Sequence, residues 1–320
     1  MLQALIFLAA ALLAHSTPVD YDLLIFPYVD PVPYPTPTAP SCFPAMDFTM
    51  PATVPNDSDL AHWWCDPQIE YAFMGFSYEV TECQSAAKLN AEFADMRRRF
   101  NSRYFGFDGD DLWKSRRDKL LSTLHNNPKA PFVTRGVQFG SEPLFDGVLS
   151  HQELTQQVVA AKADLANLYI PVTVSEMAYG FQKHGGAQDV LDAIDFVNIH
   201  MLPFFSQSAS TAVDSWPIVQ GDLHWFMQRT NGKKMYLDEN GWPSVSYEGV
   251  EPNSPKAVAD IENERNYYAL LDQHCEELKS LPAGGVGWFA HIYSDSQEPG
   301  YGIYDEDGQL KFPFSPRTSC

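Results

Sequence analysis

From Tyr71 onward, short and continuously apolar runs alternate with stretches of helical periodicity, and this alternation restricts the fold more than any other feature of the chain. The runs "YAFMGFSY", "PFVTRGVQFG", "IPVTVSEMAYG", "DFVNIHMLPFF", "KKMYLDE" and "GGVGWFAHIY" read as strands ending near Tyr78, Gly140, Tyr179, His200, Glu239 and Tyr293. Between them Ala86, Leu89, Phe93, Met96 and Phe100 recur at helical steps, as do Leu154, Val158, Leu165 and Leu168. "PIVQGDLHWFMQRT" predicts another helix, and the stretch from Ala257 to about Leu278 a further one. Strands without a polar face must be covered on both sides, which a parallel sheet flanked by helices provides.

Length and element order favour a (β/α)8 barrel of the TIM type over an open doubly wound sheet. No Gly-rich phosphate loop follows the first run, which argues against a dinucleotide cofactor. A closed barrel uses eight strands. The chain offers six clear ones and a weak seventh, "RYFGFD", from Arg103 to Asp108. The expected fold is therefore α/β, of the (β/α)8 type, lacking one βα unit in the second strand–helix region.

The sequence ahead of the barrel divides in two. Residues 1–16 read as a signal peptide: Ala4 to Ala14 is apolar, Ala14-His15-Ser16 is a small-x-small cleavage site, and the run is too short to span a bilayer. Residues 17–59 are Pro-rich and predict a linker or extended arm, since proline denies both helix and central strand. Residues 60–320 form the expected barrel domain. A net charge of -20 argues against nucleic acid or anionic membrane as partner and suits a secreted protein with a neutral ligand such as carbohydrate. The mature chain is expected as a monomer, free of the membrane, in the extracellular space or cell wall. Asn56-Asp57-Ser58 is an N-glycosylation sequon. Five cysteines leave one thiol without an intramolecular partner, and no pair has metal-ligand spacing, so no zinc site is expected.

In this architecture the working residues stand at the C-terminal ends of the strands. Two glutamates fall there, Glu142 in "VQFGSEPLF" and Glu239 in "YLDENGWPS". On an eight-strand count they lie on the fourth and seventh strands, and a barrel brings those ends face to face. Two carboxylates about 5–5.5 Å apart suit glycoside hydrolysis with retention, one as nucleophile and the other as acid/base. By strand alternation Asp238 is expected to point away, into the helix-facing layer. Tyr78, Tyr179, Phe204, Trp242, Trp288 and Tyr293 fall at or after strand ends, where flat rings can stack on sugar faces. Some read equally as core, Trp288 first, because it lies inside its strand run. His200 reads either as a hydrogen-bond partner of substrate or as a satisfied core histidine.

"ENGWPS" resembles the nucleophile segment of glycoside hydrolase family 17, the β-1,3-glucanases, and "GSEP" resembles its acid/base segment. "VNIHMLPFF" and "EPGYGIY" are similar to two further segments of that family, in family order, and the resemblance to a fungal glucan endo-1,3-β-glucosidase-like branch runs from about Trp63 to about Pro313. The resemblance implies Glu239 as nucleophile, Glu142 as acid/base, and Glu298, Trp242 and Phe204 as lining of a cleft for linear β-1,3-glucan, with no cofactor. Three departures stand out. Ser141 replaces an Asn that holds the sugar 2-OH in the family, His200 replaces a frequent Tyr, and "RRRFNSRY" joins "FGFDGDD" directly where the family runs about thirty more residues. The intact glutamate pair favours a retaining glucanase. The strand count favours a non-catalytic glucan-binding or wall protein, or a chain that does not fold stably.

Overall fold

A computed structural model describes residues 70–78, 112–127 and 130–320. The described residues form six parallel strands: β1 (Ala72–Phe76), β2 (Val137–Ser141), β3 (Val172–Glu176), β4 (Val197–Met201), β5 (Met235–Asn240) and β6 (Val286–Ala290). The sheet order is β1-β6-β5-β4-β3-β2. Successive strands from β2 to β6 lie side by side and the last returns beside the first, which is the winding of a barrel rather than of a doubly wound sheet. The fold class expected from the sequence is thus observed. The weak strand at 103–108, the helix carrying Phe93, the signal peptide, the Pro-rich arm and Asn56 lie outside the described residues.

Helices follow the strands: α1 (Leu112–Asn126), α2 (Ala130–Val133), α3 (His151–Leu165), α4 (Ala178–Lys183), α5 (Gln188–Ala193), α6 (Trp216–Met227), α7 (Ile261–Gln273) and α8 (Cys275–Ser280). Local chemistry explains their limits. Ser150 and Glu153 form a reciprocal capping box that starts α3, whose Leu154, Val158, Ala161 and Leu165 are buried. The Asp260 side chain accepts the Asn263 N–H and starts α7, four residues after the onset expected from the apolar pattern. Two strand expectations shorten for similar reasons. Pro131 to Val133 belong to α2, and Ala178 opens α4, so Tyr179 sits on a helix beyond the end of β3.

The outer face of the sheet carries an aromatic layer. Trp288 is fully buried, 4.9 Å from Phe73 and stacked 5.9 Å from Tyr268 of α7. The C-terminal tail adds Phe314 to this layer and ends in the Cys275–Cys320 disulfide.

The inner face is polar. Side chains reach each other across intervening strands, which only the concave side of a curved sheet permits. Asn198 of β4 donates to Gln138 of β2 at 2.6 Å, and Ser175 of β3 donates to Asp238 of β5. At the N-terminal end Arg135 forks onto Glu70 at 3.0 and 3.2 Å, and Lys234 donates to the Glu70 carbonyl at 2.6 Å.

Three strands gain an extra residue relative to a neighbour. On β5, Leu237 and Asn240 pair with Ile199 and Met201; on β2, Gln138 and Ser141 pair with Thr173 and Ser175; β1 shifts between Phe73 and Gly75. Such bulges break strict alternation and re-aim side chains. Asp238 is a direct consequence. Instead of facing the helices it faces inward, beside the carboxylate that follows it.

Candidate active site

The C-terminal ends of β2, β4, β5 and β6 bring together Glu142, Ser141, His200, Glu239 and His291. Glu142 is the first residue past β2. Its backbone is left-handed at φ 51°, a conformation that non-glycine residues adopt only when their surroundings hold them there. Its N–H donates to the Ser175 carbonyl at 2.9 Å, and its carbonyl accepts the Asp146 N–H at 2.9 Å. The loop behind it is gripped by a third strand-end carboxylate. Glu176, at the end of β3, accepts the N–H groups of Leu144 at 2.8 Å, Phe145 at 3.0 Å and Met177 at 2.9 Å. Burial pushes Glu176 up to about 7 in spite of those bonds.

His200 stands between the two glutamates. Its Nδ1 is 2.8 Å from Glu142 Oε1 and its Nε2 is 3.2 Å from Glu239 Oε1. The Ser141 hydroxyl donates to the same Glu239 oxygen at 2.9 Å. Side-chain exposure falls from 21% at Glu142 to 15% at Glu239 and 1% at His200, so the carboxylates face the opening and the imidazole forms the floor.

The electrostatics follow from that arrangement. Burial opposes charge on His200, but Glu239, Glu142 and Asp238 outweigh it and hold the ring well above its usual range. Burial would raise Glu239; the His200 charge and bond, the His291 charge and the Ser141 bond instead lower it to about 2. Glu239 is therefore an anion with little exposure. Asp238 moves the other way, to about 6, through burial and the neighbouring Glu239 charge. On the far side His291 Nε2 lies 2.8 Å from Glu298 Oε2, and its Nδ1 lies 2.8 Å from Ser77 Oγ. Burial also opposes charge on His291, yet Glu298 and Glu239 raise its pKa. Acid and base alternate across the mouth from Glu142 to Glu298.

Of the residues expected from sequence, the structure gathers Glu142, Glu239, Ser141, His200 and, through His291, Glu298. Ser141 turns its hydroxyl onto Glu239. Trp288 is a correction: it is buried among α7 and β1 aromatics on the outer face and offers no ring to the mouth. Trp242, Phe204 and Tyr78 lie at strand ends but are buried too. Trp242 donates to the Val258 carbonyl at 2.8 Å and meets Phe204 edge-on at 5.4 Å, and Tyr78 packs 6.0 Å from Tyr293. They wall the site. Tyr179 is 57% exposed and sits 6.1 Å from Phe145, three residues past Glu142. Sequence reading passed over His291, Glu176 and the inward turn of Asp238. Glu176 carried the signal that marked the other two glutamates, a carboxylate closing a buried strand, and His291 follows the last strand directly.

No cluster of three or more His, Cys, Asp or Glu side chains suited to a metal ion occurs among the described residues. Residues 78–290 match the family model described as the BtgE/BtgC glycoside hydrolase domain. Among solved structures the chain is similar to a glycoside hydrolase family 17 β-1,3-glucanosyltransferase from Rhizomucor miehei, 20% identical with a TM-score of 0.60, over 74% of this chain and 95% of that one. It is also similar to an active-site mutant of Rhizomucor miehei β-1,3-glucanosyltransferase in complex with laminaritriose, 18% identical with a TM-score of 0.59, over the same shares of both chains. At these identities the likeness is one of fold. No curated protein matches the sequence.

Proposed function

The chain belongs to the BtgE/BtgC glycoside hydrolase domain family, and on that premise we propose that it is a secreted retaining enzyme cleaving cell-wall β-1,3-glucan with Glu239 as nucleophile and Glu142 as acid/base. The observation that carries this reading is the unequal setting of two carboxylates on one imidazole. Glu239 is kept anionic, to about 2, by His200, His291 and Ser141, as a nucleophile must be. Glu142 is the more exposed of the two and stands on a loop fixed by Glu176, free to face a leaving oxygen.

In the first step Glu239 attacks the anomeric carbon while Glu142 protonates the departing glycosidic oxygen. In the second, Glu142 takes a proton from water or from an acceptor hydroxyl, which displaces Glu239. The substrate class is supported by the β-1,3-glucan named for the Rhizomucor miehei protein of the same fold and by the laminaritriose bound to its mutant. Tyr179, exposed and packed beside Phe145 three residues past Glu142, offers a ring for the leaving portion of the chain. Secretion rests on the apolar leader at residues 1–16 and on the acidic composition.

The test is release of reducing sugar from a soluble β-1,3-glucan by the purified chain, beside Glu239→Gln, with circular dichroism confirming that both are folded. Loss of at least ~10³-fold in the variant supports the assignment. A folded wild-type chain that releases nothing, or a variant of undiminished activity, overturns it and moves the weight to non-catalytic glucan binding.

A further inference from the structure

We propose that His200 is a positioning residue that bridges the two glutamates as a doubly protonated imidazolium, its Nδ1–H holding Glu142 and its Nε2–H holding Glu239, so that one buried ring sets the separation of the pair. The role rests on the glycosidase reading above, but the clamp itself can be tested without any activity.

An ionised carboxylate only accepts, and a neutral imidazole has one N–H to give. Here both ring nitrogens point at carboxylate oxygens, at 2.8 and 3.2 Å. While both carboxyls are ionised, a neutral ring would leave one of those contacts without a proton, with its lone pair against an anion. The ring is 1% exposed, so water cannot substitute for the missing donor. Two N–H groups satisfy both contacts, and the Nδ1–H bond persists when Glu142 carries the proton it delivers, because a protonated carboxyl still accepts through its carbonyl oxygen.

Every element packed around the ring supports the charge, apart from one histidine. Glu142 and Ser141 face it from the end of β2, with Ser141 Oγ 3.4 Å from Nε2. Glu239 and Asp238 face it from β5, and the field of His200 also reaches Glu176 of β3 and Asp146. The opposing group is His291, beyond β6, itself tied to Glu298. His200 stands on a fully buried strand that pairs with β3 through Ile199 and with β5 on either side of it, at Ile199 and Met201. Glu142 follows a bulge and Glu239 lies within one, and both side chains are more exposed than the ring between them. A ring that is 1% exposed and contacts both carboxylates ties the two bulged segments to each other.

The test has two arms on the full chain. In the first, ring-nitrogen NMR of histidine-labelled protein follows His200, assigned by the signals lost in His200→Gln. The expected result is two protonated ring nitrogens with no titration between about pH 5 and 8. Glu142→Gln should shift Nδ1 and Glu239→Gln should shift Nε2. A ring that titrates near 6.5, or is indifferent to both substitutions, overturns the clamp whether or not the chain cleaves glucan. In the second arm, His200→Gln and His200→Ala are assayed on soluble β-1,3-glucan. The expected loss is about 10²-fold in kcat with KM little changed, the scale of a 1 Å misplacement, and free imidazole should restore part of the His200→Ala loss. Unchanged kcat in folded variants overturns the positioning role. A wild-type chain without activity refutes the glycosidase reading, and the first arm then decides the clamp alone.

Discussion

Glu176→Gln tests how the Glu142 loop is held. The wild-type carboxyl accepts two backbone N–H groups at Oε2, from Leu144 and Phe145, and one at Oε1, from Met177. A glutamine of the same shape keeps the two-bond side on its amide oxygen, which leaves its NH2 opposed to the Met177 N–H. One bond is lost and one buried donor is stranded, a cost of about 1–3 kcal/mol. A second signature is the pH dependence of that cost. Burial raises Glu176 from 4.5 to about 7, so the folded state binds its proton more tightly than the unfolded chain does. The stability this contributes is complete below 4.5 and is lost as pH rises through 7, about 3 kcal/mol in all. Glutamine does not titrate. The difference between wild type and variant, from urea unfolding at several pH values, should therefore shrink by about 3 kcal/mol between pH 4 and pH 8. Other buried acids such as Asp238 and Asp222 titrate in both proteins and cancel in the difference. A gap that stays constant or widens with pH would refute the account of Glu176. Full activity in the variant would show that the Glu142 loop does not depend on it.

Gly180 of α4 should behave against its helix propensity, because a Cβ there would overlap the Glu176 carboxylate. Gly180→Ala is expected to lose about 1–3 kcal/mol where a free helical site would gain about 1, and the loss should vanish in a Glu176→Ala background. Lys311 donates to Ser244 at 2.8 Å and Asp295 at 3.0 Å and pairs with buried Glu264 at 2.9 Å, joining the loops after β5 and β6 to α7. Lys311→Met should cost about 3 kcal/mol in chemical denaturation, at the low end for a broken buried pair. Glu264, which burial raises to about 8, escapes part of the penalty by taking up a proton. Cys320→Ser opens a disulfide spanning 45 residues and should cost about 2–4 kcal/mol, an effect that reducing agent reproduces on the wild type.

The fold was legible because its signal is local and repeated. Each strand is a run too apolar for a solvated face, each helix restores a three-and-four spacing, and the winding order follows from short right-handed connections between them. The positions of Glu142 and Glu239 were legible for a related reason, since parallel strands of one barrel all end on the same face. Partners were harder to read. Period-two alternation sent Asp238 to the helices and left Trp288 open as a sugar platform. The extra residue between Leu237 and Asn240 reversed the first, and packing against Tyr268 decided the second.

Sequence by itself thus determined the class of fold, the order of its elements and the strand ends that carry carboxylates, because those depend on composition and periodicity within a few residues. Tertiary structure alone decided that one imidazole spans the two glutamates, that Ser141 serves Glu239, that Glu176 grips the loop of Glu142 and that His291 joins Glu298 to the array. Each of these contacts joins side chains whose meeting depends on strand register and bulges. Register is set by hydrogen bonds between strands far apart in the chain, and a shift of one residue turns a side chain to the opposite face.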